Sequence, residues 1–296
     1  MNENEWLAER FETERTRLTG VAFRMLGSLS EADDAVQETW LRLSRSGAAG
    51  VENLSGWLTT VVARVCLNML RSRKSRREEP LEPQAPRLVR AHDDGTDPEH
   101  EAMLADSVGL ALLVVLETLT PAERLAFVLH DTFAMPFDEI APLVGRSPAA
   151  ARQVASRARR RVRGSASVPR ADLARQRKVV DAFLAASRAG DFDALLAVLD
   201  PDVVFRVDAT ANGRGGATQL RGAAVVARGA TAYASRARFT QVALVNGNVG
   251  VVLAPRGRLF GVGIITIRHG RIVEAELVAD PERLCQLEIA VLDDAR

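Results

Sequence analysis

Residues 137–163, FDEIAPLVGRSPAAARQVASRARRRVR, have the pattern of two short helices joined by a tight turn. Gly145 stands where the first helix should end, since glycine readily adopts the left-handed conformation found just past a helix. Ser147 can cap the second helix, and Pro148 suits its first position, where no backbone N–H is needed. Pro142 removes a backbone hydrogen bond from the first helix, so we expect that helix to be kinked or short.

The two faces of the second helix differ in chemistry. One face carries apolar residues at helical spacing: Ala151, Val154, Ala158 and Val162. The rest of the helix carries arginines and polar side chains: Arg152, Gln153, Ser156, Arg157, Arg159, Arg160 and Arg163. An arginine-rich face is usually only a solvated surface. Here, however, no acidic residue occurs between positions 147 and 163. Together with the turn chemistry, this predicts a helix-turn-helix that presents its second helix to the DNA major groove.

The composition limits the other possibilities. A chain of 296 residues is long enough for two or three domains, and its net charge of +1 means that nucleic-acid binding must depend on local patches. No apolar run is long enough to predict a membrane span, and the N-terminus lacks the blocks of a signal peptide. Cys66 and Cys285 fall in apolar helical patterns, so we expect both to be buried in a reducing cytoplasm. These cysteines and the scattered histidines predict no zinc site.

Residues 1–77 have the pattern of an all-helical domain. The segment SEADDAVQETWLRLS begins with Ser30 as an expected cap, followed by an inward stripe of Val36, Trp40 and Leu43. A second helix, GWLTTVVARVCLNMLRSRKSRR, covers residues 56–77. Its apolar stripe is predicted to be Trp57, Val61, Val65 and Met69, and its opposite face Arg64, Asn68 and Arg71.

The charge then changes sign. Residues 78–106 hold nine acidic residues against two basic ones, together with four prolines, and are predicted to be a linker. Residues 107–164 form a second helical domain that includes the helix-turn-helix. Within it, LTPAERLAFVLHDTF predicts a helix capped by Thr120 with Glu123 at the capping-box position.

Residues 171–296 have the pattern of an α+β domain. A helix should stop at Gly190, and a short helix, a strand, a glycine-rich loop and a longer helix should follow. Four strands are predicted next, with turns at Asn246-Gly247 and His269-Gly270, and PERLCQLEIAVL is predicted to close the chain as a helix. Helices followed by an antiparallel sheet would enclose a cone-shaped, mainly apolar pocket.

Several of these segments resemble a known family. LGSLSEADDAVQETWLRL and WLTTVVARVCLNMLRSRKSRR resemble domain 2 of the extracytoplasmic-function (ECF) sigma factors of the sigma-70 family. LTPAERLAFVLHDTFAMPFDEIAPLVGRSPAAARQVASRARRRVR resembles sigma domain 4, and AGDFDALLAVLDPDVVFRVD resembles the start of SnoaL-like domains of the nuclear-transport-factor-like superfamily. The resemblance implies a multidomain protein with two all-α sigma domains and a C-terminal α+β cone domain.

The resemblance also implies partners and site residues. RNA polymerase core would be bound through its β′ clamp helices and β flap, the former by Asp33, Asp34, Gln37, Glu38 and Leu41. The promoter −10 element would be bound by Arg64, Asn68, Arg71, Arg73 and Lys74, with the loop at 44–54 helping to hold an extruded base. The −35 element would be read by Arg152, Gln153 and Ser156 at base edges, while Arg159, Arg160 and Arg163 would bind phosphates and Arg157 would add to the same surface.

Two other functions are open at this stage. A one-component regulator could sense a ligand with the C-terminal domain, although it would have no use for the first helical block. An enzyme could use Asp208, His269 or Tyr233, but these residues fit a strand end, a turn and an amphipathic helix, so no catalytic residue, metal or cofactor is predicted. For the sigma-factor reading, we expect the C-terminal domain to contact the sigma domains of the same chain and regulate them.

Overall fold

The computed structural model describes residues 3–47, 51–78, 109–212, 216–232, 234–255 and 258–292. These residues belong to two compact units. The first contains Met1–Met103 and Leu116–Arg159, and the second contains Leu104–Val115 and Arg160–Arg296. The predicted acidic linker, apart from Glu78, lies outside the described residues, as do 48–50 of the predicted base-holding loop. The predicted domain boundaries stay predictions.

The first unit is helical. Its elements are α1 (Glu3–Leu26), α2 (Leu29–Ser46), α3 (Leu54–Glu78), the end of α4 (Leu110–Thr118), α5 (Pro121–Phe127), a π-helical turn (Val128–Thr132), α6 (Phe137–Val144) and most of α7 (Pro148–Arg163). The large side chains Phe11, Phe23, Leu58 and Leu125 are fully buried in it. At about 1.5–3 kcal/mol for each large apolar side chain removed from water, such burial supplies most of the driving force for packing.

The N-terminal caps of α5 and α2 were both predicted from the sequence, and only the first prediction is correct. The capping box of α5 is confirmed, because Thr120 and Glu123 exchange the expected side-chain and backbone bonds. The capping prediction for α2 is wrong: the helix begins at Leu29, before Ser30, and the N-cap residue Ser28 makes no capping bond. Instead, the Ser28 and Ser30 hydroxyl oxygens lie 3.1 Å apart and bond to each other.

The second unit contains a seven-stranded sheet with helices packed against it. The helices are α8 (Arg170–Ala189), α9 (Phe192–Val198), α10 (Ala209–Asn212), α11 (Ala223–Ala232), α12 (Ala234–Ala237) and α13 (Pro281–Leu284). The strands are β1 (Leu199–Val207), β2 (Thr218–Arg221), β3 (Thr240–Val245), β4 (Asn248–Leu253), β5 (Gly261–Arg268), β6 (Arg271–Val278) and β7 (Ile289–Ala290), in the order β2-β1-β6-β5-β4-β3-β7.

The α+β class and both predicted hairpin turns are confirmed. Asn246 and Gly247 have φ of 50° and 75° between β3 and β4, and His269 and Gly270 have φ of 51° and 75° between β5 and β6. The apolar pocket between sheet and helices is also present. In each hairpin, two successive residues with positive φ match the right-handed twist of the flanking strands.

Other parts of the topology differ from the prediction. The sheet is mixed, because β1 lies parallel to β6. The glycine-rich segment contains the short strand β2, which pairs with β1. The predicted closing helix extends only over α13, and β7 then pairs with β3. Cys285 is exposed, whereas Cys66 is buried and its burial raises the pKa of the thiol to about 12. The differences in strand pairing arise because β1, β3 and β6 find partners far along the chain, which a local pattern does not encode.

No helix in the described part of the chain combines the length and apolar character needed to cross a membrane. Within the same residues, no group of three or more His, Cys, Asp and Glu side chains is placed to hold a metal ion.

Candidate nucleic-acid interface

The helix-turn-helix predicted from residues 137–163 is present. Helix α6 ends at Gly145, whose φ of 67° and ψ of 42° are left-handed. The Ser147 hydroxyl accepts a 3.3 Å hydrogen bond from the Ala150 N–H, and α7 begins at Pro148. Helix α6 spans only 8 residues and contains Pro142, which confirms that this helix is short.

The two faces of α7 are separated as predicted. Ala151, Val154, Ala158 and Val162 are buried, and Ala155 joins them. The exposed side chains are mostly basic: Arg152, Gln153, Ser156, Arg157, Arg160, Arg161 and Arg163. Because residues three or four positions apart lie on the same side of a helix, Arg152, Ser156 and Arg160 form one row. The major groove of B-form DNA is wide enough to admit an α-helix such as α7.

Arg152 is positioned by aromatic residues outside α7. Its guanidinium carbon lies 5.7 Å from the centre of the Phe137 ring, within cation–π range. The Phe137 ring stacks in turn on the ring of His130 at 4.0 Å. Phe137 is therefore half-buried and acts as a platform for Arg152, rather than only as a core residue of α6.

Arg159 has an acidic partner that the sequence pattern missed. Its Nε lies 2.7 Å from Oδ1 of Asp131 in the π-helical turn. Although no acidic residue occurs between positions 147 and 163 of the sequence, the fold brings an acidic side chain from outside that segment against Arg159. The signal that could have indicated the pair is Asp131 itself, an acid close before the helix-turn-helix. The pairing leaves Arg159 less exposed than Arg152 and Arg160.

Helix α3 presents a second polar row. Arg64, Asn68 and Arg71 are exposed, while Val62 and Cys66 are fully buried on the opposite side. The apolar stripe is wider than predicted, because Leu58, Val62 and Cys66 are buried as well as Val61 and Val65, whereas Trp57 and Met69 are only half-buried.

Two further residues of α3, Arg73 and Lys74, were predicted to bind the −10 element. Arg73 donates a 3.2 Å hydrogen bond to the carbonyl oxygen of Leu26 and pairs with Glu31. The side chain of Lys74 lies outside the described part of α3.

Helix α2 presents an acidic surface. Asp33, Asp34 and Gln37 are exposed, and Leu41 next to them is 44% exposed. Glu38 is half-buried and pairs with Arg42 at 2.8 Å. On the opposite side, Val36 and Leu43 are fully buried, and the Trp40 ring packs 5.2 Å from that of Phe11.

The carboxyl end of α1 is bound by two arginines. Arg124 on α5 donates a hydrogen bond from Nε to the carbonyl oxygen of Arg24 at 3.0 Å, and Arg73 binds that of Leu26. Arg124 is 4% exposed, and burial lowers its pKa to about 10 despite the nearby Glu117. Arg124 therefore remains a cation at neutral pH, and the two arginines lie at the negative end of the helix dipole.

Asp208, the first of the three residues considered for catalysis, has a structural role. Asp208 accepts backbone N–H bonds from Ala211, Ala279 and Asp280 at 2.6–2.8 Å. Burial raises the pKa of Asp208, but these bonds outweigh it and hold the pKa below its usual value. This carboxylate therefore joins the end of β1 to the end of β6. His269 lies in the β5–β6 turn, and Tyr233 lies outside the described residues.

Comparison with known proteins accounts for both helical segments. Residues 10–76 match the profile of sigma-70 region 2, and residues 109–162 match that of sigma-70 region 4. The chain is 37% identical over 286 residues to the ECF RNA polymerase sigma factor SigJ of Mycobacterium tuberculosis, covering 92% of this chain and 91% of SigJ. It is 30% identical to SigG of the same species, covering 66% of this chain and 60% of SigG.

Because the sequence match to SigJ covers 92% of this chain, it includes most of the C-terminal unit. A crystal structure of Mycobacterium tuberculosis SigJ aligns with 94% of this chain and 98% of its own chain, at 34% identity and a TM-score of 0.45. With both sigma-70 regions present and identity above 35% over nearly the full length, the chain belongs to the ECF RNA polymerase sigma factors.

Proposed function

We propose that this sigma factor directs core polymerase through three surfaces defined above. The acidic surface of α2 would bind the β′ clamp helices, the row on α3 would contact the −10 strand, and α7 would read the −35 element. The β flap would bind the region-4 segment. The observation that carries the proposal is the exposed, mostly basic face of α7, opposite a buried apolar face. The stacked Arg152 is the natural base reader because its guanidinium is held at the start of that basic face.

Arg152→Ala is expected to relax the preference at one or two −35 base pairs by about 1–3 kcal/mol, because a bidentate base contact is lost. Run-off transcription from a set of −35 variants with core polymerase measures this preference. Arg160→Ala on the same helix is the matched control. It should weaken binding to all sequences alike and reduce the salt slope by about 1, as expected for one phosphate contact. An unchanged preference at every −35 base with Arg152→Ala would contradict the assignment.

We also propose that the first unit represents a closed state of the factor. It packs the region-2 helices with helices of region 4, through contacts such as Arg124 to Arg24. Positions −35 and −10 differ by about 25 base pairs, which is roughly 85 Å of B-form DNA at 3.4 Å per pair. A compact unit of about 120 residues has a radius of gyration of about 14 Å and cannot reach both. Opening would follow binding of core polymerase, which must favour the open state.

The C-terminal segment is proposed to stabilise the closed state. Within the second unit it bonds to both ends of the segment that matches region 4. Gln241 Oε1 accepts a 2.8 Å hydrogen bond from the Ala111 N–H at the start of α4. The Val291 N–H donates a 2.7 Å hydrogen bond to the carbonyl oxygen of Val162 at the end of α7. Because these bonds are intramolecular, even weak ones act at high effective concentration.

Removing residues 171–296 is expected to raise the affinity for core polymerase, and Gln241→Ala should raise it by about 2- to 10-fold, the equivalent of one hydrogen bond. Gln219→Ala on the exposed edge strand β2 is the matched control and should leave the affinity unchanged. Fluorescence anisotropy with labelled full-length factor and purified core measures the affinity. If the truncated chain and Gln241→Ala bind core as the unaltered factor does, the C-terminal segment does not oppose opening.

A further inference from the structure

The second unit contains a cavity of about 350 Å³ between the sheet and helices α8 and α11. We propose that this cavity is a binding site for an uncharged, largely apolar small molecule. Its volume falls in the range of pockets that hold drug-sized ligands. None of the residues that line the cavity belongs to the surfaces proposed on α2, α3 and α7.

The lining determines the class of ligand. Two aromatic rings and several aliphatic side chains from different elements face the cavity: Phe183, Phe205, Leu220, Val226, Ile265 and Leu277. An apolar cavity of this kind does not hold water well, because water would lose hydrogen bonds without replacement. An apolar ligand would instead regain the dispersion contacts that the empty space lacks.

Several polar groups of the lining are bonded within the protein. The Ser187 hydroxyl donates to the Phe183 carbonyl oxygen at 2.8 Å, and Asn212 Nδ2 donates to the Thr218 hydroxyl oxygen at 2.8 Å. Glu276, the charged residue among the described lining, pairs with Arg283 at 2.7 Å. A ligand with a net charge would lose its hydration without finding a free counter-charge, so the site should select neutral molecules.

One wall of the cavity is next in sequence to Gln241, whose side chain bonds to the start of α4. Ala237 and Thr240 line the cavity, and Arg188 donates hydrogen bonds to both of their carbonyl oxygens, at 3.1 Å and 2.6 Å. The next residue, Gln241, accepts the Ala111 N–H. A ligand that orders this wall should therefore also order the start of α4. This consequence is local and does not depend on the proposed role in transcription.

The binding site can be tested with a matched pair of fluorescent probes on the full chain. N-phenyl-1-naphthylamine is neutral and apolar, and 8-anilinonaphthalene-1-sulfonate has a similar skeleton with an added negative charge. The neutral probe should bind saturably with one site per chain, and the sulfonate should bind at least tenfold more weakly. Equal or stronger binding of the sulfonate, or no saturable binding of the neutral probe, would overturn the proposal.

Variants of α11 locate the site. Ala230 lines the cavity, so Ala230→Trp should fill it and weaken neutral-probe binding at least tenfold, and the smaller Ala230→Leu should weaken it less. Val225 on the same helix is 40% exposed, and Val225→Phe should leave binding unchanged. Circular dichroism and thermal unfolding identify any variant that does not fold, in which case Ala230→Leu decides. Equal effects of Ala230→Leu and Val225→Phe would place the probe elsewhere.

Amide hydrogen exchange tests the connection to α4. With the neutral probe bound, exchange should slow in residues 237–241 and at the start of α4, but remain unchanged in α2. Slowing confined to residues 237–241 would show that the ligand site is not connected to the Gln241 bond.

Discussion

Arg124→Ala is expected to lower the free energy of unfolding of the first unit by about 2–4 kcal/mol. The variant loses the packing of the buried stem and the bond from Nε to the Arg24 carbonyl oxygen. Relief of desolvation and of repulsion from Arg73, both of which lower the Arg124 pKa, opposes this loss. Packing should prevail, because an alanine leaves a cavity that the surrounding helices cannot fill.

Arg124→Met separates packing from charge. Methionine keeps most of the buried stem and removes the buried cation, so its free energy of unfolding should stay within about 1 kcal/mol of the original. Urea unfolding followed by tryptophan fluorescence is a suitable measurement, since all three tryptophans, Trp6, Trp40 and Trp57, belong to the first unit. If the methionine variant is as unstable as the alanine variant, the charged hydrogen bond to α1 contributes more to stability than the packing of the Arg124 stem does.

Reversing the charge at Asp34 and Glu38, each to lysine, is expected to weaken binding to core polymerase by at least tenfold, or about 1.4 kcal/mol. The acidic surface of α2 would then repel the basic partner that its present charge is proposed to attract. The fold should persist, because Asp34 is exposed and the pair between Glu38 and Arg42 is worth only about 0.3–0.5 kcal/mol.

The same charge change at Asp193 and Asp202, both exposed in the second unit, is the matched control. It should leave core affinity unchanged at each salt concentration. The difference between the two double variants should shrink as salt rises, because exposed charges are screened. Unaltered core affinity of the folded Asp34 and Glu38 variant would remove this surface from the polymerase interface.

The local sequence determined those parts of the molecule that are stabilised by interactions among a few neighbouring residues. Gly145, Ser147 and Pro148 specify the turn before α7 because each satisfies a helix end by itself. Asn246-Gly247 and His269-Gly270 specify two hairpins because both turns need positive φ. The exposed rows on α2, α3 and α7 could be predicted for the same reason, since helical spacing alone separates polar from apolar faces.

Only the tertiary structure decided which distant groups meet. Arg159 lies against Asp131, Arg124 binds α1 across 100 residues of sequence, and Gln241 holds the N-terminus of α4 across 130. The parallel pairing of β1 with β6 and the strand β7 likewise depend on partners far along the chain. Each such contact depends on the combined burial of whole elements rather than on a residue's own preference. The sequence therefore determined which surfaces this sigma factor could present, and tertiary packing decided which arginines are bound and which remain exposed on α7.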